Sequence, residues 1–359
     1  MKVALAHDFL RDGGAERVLE QFKLVWPDAP LYTIYDEGNP AYKDWEKHTS
    51  WLQPFVPPRF YRWPLVLFPG IIDRWDIEPG IDLLLSSSVS FTKNMRAPEG
   101  AKHMCYLHSP MRFAHPWQQK EFLDQYPAVI RPLLRAVIQP IARWDVQHTD
   151  RADLIVSNSR FTADKVKELY GRESPVIHVP VGTRRFAAAR DTPVGDYFLL
   201  AIRLETYKRV DVVVRAATEL GIPLKIAGKG SAMKELQAMA GPNVEFLGHI
   251  PYEELPPLVA GCRAFLYSAV EDFGIAPVEA MAAGRPVIAY AGGGLLETVV
   301  DGQTGIFYHE QTPEALIAAI RGFRDQGFDP DVISAHAERF SEESFRASIL
   351  ETAERLVAS

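Results

Sequence analysis

The stretch YFLLAIRLETYKRVDVVVRAATELG, residues 197–221, reads as one buried strand running directly into one amphipathic helix. Its first part is continuously apolar rather than alternating, as expected of a strand covered on both faces. Its second part places Val210, Val213, Val214, Ala217 and Leu220 on one helical face, and Gly221 supplies a C-terminal stop. Such a unit belongs to a parallel sheet, and the pattern recurs along the chain. VALAHDF, DLLLSSS, HMCYLHS and DLIVSNS are strand-like in the first half. LKIAG, VEFLG, AFLYSA, PVIAYA and GIFY follow in the second. Helical patterns separate most of these runs, which predicts two doubly wound α/β domains with a cleft between them. SPVIHVPVGTRRFAAARDTPVGD, residues 174–196, reads as the linker. The domain boundaries expected are 1–185, 186–340 and a terminal helical segment over 341–359.

The composition agrees. With 359 residues, the chain suits two domains of about 150 residues each. A content of 47% hydrophobic and 24% charged residues is that of a soluble globular protein, and a net charge of -7 argues against bulk nucleic-acid binding. Cys105 and Cys262 lie in apolar stretches without metal-ligand spacing, so both read as buried thiols in a reducing cytoplasm. Asp8 ends the first apolar run too early for a signal peptide, and no window reaches the roughly 18 apolar residues of a membrane span. The expectation is a soluble or peripheral cytoplasmic protein. Residues 51–75, WLQPFVPPRFYRWPLVLFPGIIDRW, break the α/β rhythm with prolines, aromatics and Arg59, Arg62 and Arg74. They read either as a packed irregular excursion or as a surface facing membrane or acceptor.

Lys208 and Arg209 carry a conflict. In a helix starting at about Lys208 they occupy the first turn, where each exposed cation costs roughly 0.3–1 kcal/mol against the macrodipole. An anion held by Arg203, Lys208 and the strand-to-helix turn would remove it; two solvated surface cations are the other reading. Gly228 and Gly230 in IAGKGSAMKEL let a nucleotide approach the backbone, but Met233 stands where a dinucleotide fold needs a third glycine. A nicotinamide cofactor is therefore not expected. Gly13 and Gly14 open a helix directly after VALAHDF, which suits close backbone approach by a ligand or simply a tight turn.

AVEDFGIAPVEA, residues 269–280, places Glu271 eight positions before Glu279. A helix starting near Pro277 and ending near Gly284 leaves the amides of Phe273, Gly274 and Ile275 in the turn before it, a diphosphate-type site. A carboxylate aimed at a diphosphate would be repelled. The two glutamates therefore read as readers of hydroxyls on either side of the phosphates, or as a surface acid and a helix-stabilising one. No DxD-type metal motif stands at a strand end of the second domain, and the cations could serve in place of a metal.

EDFGIAPVE followed by EAMAAGRPVIAYAGGGLLETVVDGQTG resembles the retaining family 4 glycosyltransferases of the GT-B fold. GGAERV, RLETYKRVD and VEFLGHIPYEEL stand in the order that family shows, over nearly the whole chain. YLHSPMRF, residues 106–113, resembles the subgroup that transfers mannose from GDP-mannose in bacterial surface-polysaccharide assembly. The resemblance implies a nucleotide-sugar donor on the second domain and a polyprenyl-diphosphate-linked saccharide acceptor on the first; the missing DxD motif and the cations predict that no metal is required. It implies that Glu271 holds donor-sugar hydroxyls, Glu279 the ribose, and Arg203 and Lys208 the diphosphate. Gly13, Gly14 and His108 would approach the donor from the first domain. Gly228, Lys229 and the His249–Ile250 turn would lie at the base. His108 by itself also fits a structural histidine after an apolar strand. A UDP-sugar transferase, a GT-B nucleotide-sugar epimerase and a non-catalytic nucleotide-sugar binder are the alternatives.

Overall fold

The computed structural model describes residues 1–11, 13–57, 60 and 64–359, the side chains of residues 116–118, 121 and 326 excepted. Arg59 and Arg62 of the aromatic excursion lie outside the described residues. The chain divides into two compact units, Met1–His178 with Phe345–Ser359, and Val179–Ser344. The division falls before the expected boundary at 185/186. The segment read as a linker is structured: Val176 bridges Ser157, Val181 bridges Ser341, and a short helix, Thr183–Ala187, buries Phe186.

The first unit is built on a six-stranded parallel sheet of β1 (Val3–Leu10), β2 (Leu31–Asp36), β3 (Lys47–Thr49), β4 (Leu83–Ser88), β5 (Lys102–Leu107) and β6 (Leu154–Ser157). Its order is β3-β2-β1-β4-β5-β6, so the winding reverses between β1 and β4. β2 and β3 are additions to the strands expected above. β3 is polar, Lys-His-Thr, and is held at the sheet edge by backbone pairing with β2 alone, so no apolar run announces it.

At the reversal point the turn after β4 turns its amides inward. The buried Asp8 carboxylate on β1 accepts from the amides of Val89, Ser90, Phe91 and Thr92 at 2.6–2.8 Å, and from the Ser88 hydroxyl at 3.2 Å. Four converging N–H groups make an anion nest, and here the protein supplies the anion itself.

A second buried network ties this turn to the long helix Arg131–Gln147. Lys93 and Asp145 are both solvent-inaccessible and pair at 2.7 Å. His115 Nε2 lies 2.8 Å from the other carboxylate oxygen, to which the Tyr170 hydroxyl also donates at 2.7 Å. Burial works to raise the Asp145 pKa, but the Lys93 charge and the bonds from His115 and Lys93 hold it below the usual aspartate value. The last helix, Glu342–Val357, is capped by Ser341, whose hydroxyl accepts from the Ser344 amide at 3.3 Å. From Phe345 onward it belongs to the first unit, where Phe345 stacks on Phe22 at 5.9 Å and meets the edge of Tyr106 at 5.5 Å.

The second unit has its own six-stranded parallel sheet, of β7 (Phe198–Ala201), β8 (Leu224–Ala227), β9 (Val244–Gly248), β10 (Phe265–Tyr267), β11 (Val287–Tyr290) and β12 (Gly305–Tyr308). The order β12-β11-β10-β7-β8-β9 repeats the doubly wound pattern, with the reversal between β7 and β10. Open α/β sheets bind ligands outside the carboxyl ends of strands at such a reversal. The loops leaving β7 and β10 are therefore the first place to look.

Candidate functional site

β7 ends at Ala201, and the following loop carries Arg203 before a 3-10 turn, Thr206–Lys208. The helix expected from Lys208 begins instead at Val210. Arg209 stands at its N-cap with φ +53°, the one non-glycine residue in the left-handed region among those described. Lys208 and Arg209 thus precede the first turn rather than occupy it, and Asp211 is the charge inside it. Arg209 is held by Asp211 at 3.1 Å and by Gln311 at 3.3 Å. This resolves the expected conflict with the macrodipole differently for each cation. Arg209 finds its own carboxylate, and Lys208 turns away towards β10.

β10 ends at Tyr267, inside the run AFLYSA that reads as a strand. The Ser268 hydroxyl donates to the Arg209 carbonyl at 2.6 Å and to that of Lys208 at 3.3 Å, pinning the two loops together. Lys208 is only 4% exposed, and its Nζ pairs with Glu271 Oε1. The Tyr267 hydroxyl donates to the same oxygen at 2.9 Å. Burial, with the Glu271 carboxylate alongside, pushes the Tyr267 hydroxyl well above the usual tyrosine pKa, so it remains a donor. One carboxylate oxygen is thus fixed by an ammonium and a phenol from two strands' ends. The Arg203 guanidinium, a few residues earlier in the same loop, is exposed and has no ion-pair or hydrogen-bond partner among the described residues.

The loop from Glu271 to the helix Ile275–Ala282 is shaped by glycine. Gly274 has φ +95° at the N-cap, and the amides of Gly274 and Ile275 meet no acceptor among the described residues. Gly293 and Gly294 press against this loop from the end of β11. A Cβ on Gly293 would lie 2.3 Å from the Glu271 carbonyl oxygen, and one on Gly294 would lie 2.4 Å from that of Asp272. The Gly294 amide donates to the Glu271 carbonyl at 2.9 Å. The glycine run in AYAGGGLLE therefore holds the Glu271 backbone from behind. Phe273 is buried against Phe340 at 5.6 Å, so its contribution to any ligand is through its backbone.

Glu279 lies inside the helix and is 6% exposed, with Tyr252 donating to its Oε1 at 2.9 Å. Gly228, at φ +143°, has a close neighbour of its own: a Cβ there would lie 1.9 Å from the Ile202 carbonyl oxygen. Gly230 is packed in the same way on Leu204. These glycines let the loops after β7 and β8 run side by side, which explains them without a nucleotide. Lys229 between them is exposed, and Ile250 follows β9 on the neighbouring loop.

In the first unit, Gly13 is the extended N-cap of helix Gly14–Val25, where a Cβ would sit 3.0 Å from Glu16 Oε2. Burial opposes ionisation of Glu16, yet the hydrogen bond and charge of His7 and the amides of Glu16 and Arg11 hold its pKa low. His108 follows β5; its Nε2 lies 2.8 Å from the Ser87 hydroxyl and its carbonyl accepts from Asn158 at 2.9 Å. Tyr267, Tyr252 and the glycines behind Glu271 were not singled out from sequence. A phenol at a strand end four residues before an acid was the available signal for the first, and Tyr252 lies within HIPYEEL.

Residues 189–344 match the family model described as glycosyl transferases group 1. The chain is 32% identical over 212 residues to a GDP-mannose-dependent alpha-(1-6)-phosphatidylinositol monomannoside mannosyltransferase of Mycolicibacterium smegmatis, across 50% of this chain and 56% of that protein. It is also 32% identical over 204 residues to a glycogen synthase of Mycobacterium tuberculosis, across 52% and 49% of the two chains. The chain thus spans about half the length of these curated relatives. Among solved structures it superposes on sucrose-phosphate synthase from Thermosynechococcus elongatus with a TM-score of 0.75 at 17% identity, over all of both chains. Anabaena Alr3699/HepE in complex with UDP gives 0.71 at 18% identity, over 99% of this chain and 100% of that one. At those identities the likeness concerns fold alone. The protein has the GT-B fold of two Rossmann-like domains, and over residues 189–344 it is similar to the group 1 glycosyl transferases.

Proposed function

We propose that the protein is a retaining glycosyltransferase that moves mannose from GDP-mannose to a lipid-linked saccharide in surface-polysaccharide assembly. The observation that carries this reading is the Lys208–Glu271–Tyr267 cluster at the β7/β10 reversal, with the exposed guanidinium of Arg203 in the same loop. In the proposed reaction the bond from the anomeric carbon to the diphosphate oxygen breaks, leaving positive charge on the sugar and negative charge on the phosphate. Arg203, Lys208 and the amides at Gly274 and Ile275 stabilise the departing diphosphate, as preorganised donors aimed at developing charge do. Glu271, already oriented by Tyr267, accepts hydrogen bonds from sugar hydroxyls. Glu279 does the same for the ribose, exchanging its bond from Tyr252. The acceptor oxygen attacks on the face the phosphate leaves, and its proton passes to the departing phosphate oxygen. No divalent metal enters this scheme, because the two cations supply the charge.

The mannose assignment is supported by the YLHSPMRF resemblance and by the Mycolicibacterium relative, whose name specifies GDP-mannose. A uridine donor is the second reading, favoured by the HepE structures, which hold UDP. Calorimetric titration with GDP, UDP, GDP-mannose and UDP-glucose, without added metal, separates them. Selective binding of the guanine compounds is expected. Selective binding of the uridine compounds would overturn the donor.

A lipid-linked acceptor places the enzyme at a membrane surface, and no described helix is long and apolar enough to cross one. The support for surface contact is the first unit's apolar exposure: Trp51, Phe55 (75% exposed), Val66 and Leu67 on the excursion, and Val129 (84%) and Leu133 beyond it. Trp51, Val66, Leu67 and Arg74 line one groove, and Leu65–Leu67 packs against helix Arg131–Gln147. Co-sedimentation with anionic phospholipid vesicles is expected, and Trp51→Ser with Phe55→Ser should abolish most of it. Equal sedimentation of the variant would remove the patch from the account.

A further inference from the structure

We infer that the first unit carries a zinc site, formed by Glu46, His48 and Glu78, that fastens the base of the apolar excursion. The three residues come from separate segments: Glu46 precedes β3, His48 lies on it, and Glu78 stands in the approach to β4. One ligand atom from each lies within 4.8 Å of the other two. His48 Nε2 is shielded from solvent and has no hydrogen-bond partner, although Glu46 Oε1 is 3.5 Å away. That separation is close to the edge of a tetrahedron around zinc, about 3.4 Å for bonds of about 2.0–2.2 Å.

The ligands are held by the fold. His48 is the cross-strand partner of Tyr32, and the two rings stack at 4.7 Å with planes 17° apart. The Tyr32 hydroxyl accepts from the Glu78 amide at 3.2 Å, so the same residue positions both ends of the cluster. Lys23, whose ammonium interacts with the Glu46 charge, is engaged with the carbonyls of Pro27 and Ala29 and lies over the Trp45 ring. Lys47 is paired with Asp36 at 2.7 Å. Among the described residues neither Glu46 nor Glu78 pairs with a lysine or arginine, and the two carboxylates share the cluster with the imidazole nitrogen. One imidazole and two carboxylates suit zinc better than calcium or magnesium, which prefer all-oxygen sets.

The position says what the metal would do. Glu46 and His48 enter the excursion and Glu78 leaves it, so a shared ion closes the loop carrying Trp51, Phe55, Val66 and Leu67. It sits at the β3 edge of the sheet, against Tyr32 of β2, whereas Gly13, Gly14 and His108 follow the carboxyl ends of β1 and β5. Its role is therefore to order a surface, separate from the transfer chemistry.

Zinc titration of chelator-treated protein by calorimetry tests the site, with cobalt absorption as the probe of geometry. One saturable ion per chain is expected, weakened at least about tenfold by His48→Ala or Glu78→Gln. His309→Ala, an exposed histidine elsewhere, should leave it unchanged. Limited proteolysis within residues 51–75 should slow with zinc in the parent protein and not in the His48 variant. Absence of saturable binding, or binding indifferent to both ligand substitutions, overturns the site. Site-dependent binding with unaltered cutting overturns its fastening role. Circular dichroism of the variants excludes misfolding as the cause.

Discussion

Lys208→Ala is expected to lower kcat/KM for the proposed sugar transfer by about 10³, and Glu271→Ala by a similar factor. The double variant should lose little more than either single one. Lys208 is buried and shares one oxygen of Glu271 with Tyr267, so each residue holds the other's geometry. Removing the ammonium leaves a partly desolvated carboxylate with a phenol alone to steady it. Removing the carboxylate leaves an ammonium in a site built for its counter-charge. Residues that work as a unit are non-additive in this way, whereas independent sites add within a few tenths of a kcal/mol. Steady-state kinetics of the three variants measure the coupling, and calorimetry measures nucleotide affinity alongside. Losses that simply multiply would show that neither residue positions the other for its own role. A fall in nucleotide affinity as large as the fall in turnover would remove Glu271 from the sugar. Because breaking a buried pair costs about 3–5 kcal/mol of stability, each variant's melting curve must be recorded first.

The second large effect concerns the first unit. Asp8→Ala should destabilise it by about 4 kcal/mol or more, since it strands four inward-facing amides at about 1–3 kcal/mol each. For a unit of this size that is a fall in Tm of roughly 10 °C. Asp8→Asn should recover only part of the loss. Its amide oxygen can accept from two of the four N–H groups, while its NH2 faces the other two as donor against donor. Thermal unfolding followed by near-ultraviolet circular dichroism reads both variants. A Tm for Asp8→Ala within about 2 °C of the parent would mean that water enters the nest and replaces the carboxylate. The same carboxylate explains why the β1/β4 reversal, a usual place for a bound anion, differs from the β7/β10 reversal. In the first unit the nest is filled by the chain; in the second, Arg203 and the amides at Gly274 and Ile275 are left without a protein partner among the described residues.

Most strands were legible because a buried parallel strand is a continuous apolar run, as in DLLLSSS and YFLLAIR. β3 was not, because Lys47, His48 and Thr49 form an edge strand through backbone bonds that any side chain permits. Helix Val210–Leu220 was legible from its valine face, yet its start was misplaced. Arg209 adopts a left-handed conformation that no propensity predicts, stabilised by Ser268 on its carbonyl and Gln311 on its side chain. The glycines of IAGKG looked like a nucleotide approach, but their immediate cause is the passing backbone of Ile202 and Leu204.

From the sequence alone came the two-domain α/β architecture and the acids and cations worth watching. Hydrophobic period, helix stops and the spacing of Glu271 and Glu279 depend only on neighbours within a few turns. Tertiary structure alone decided the partners. Lys208 meets Glu271, Asp8 meets the turn after Ser88, and His48 meets Glu78 because sheet order brings together segments far apart in the chain. Which distant carboxylate a buried cation or amide finds is set by strand order and loop packing, and no local pattern of residues encodes that choice.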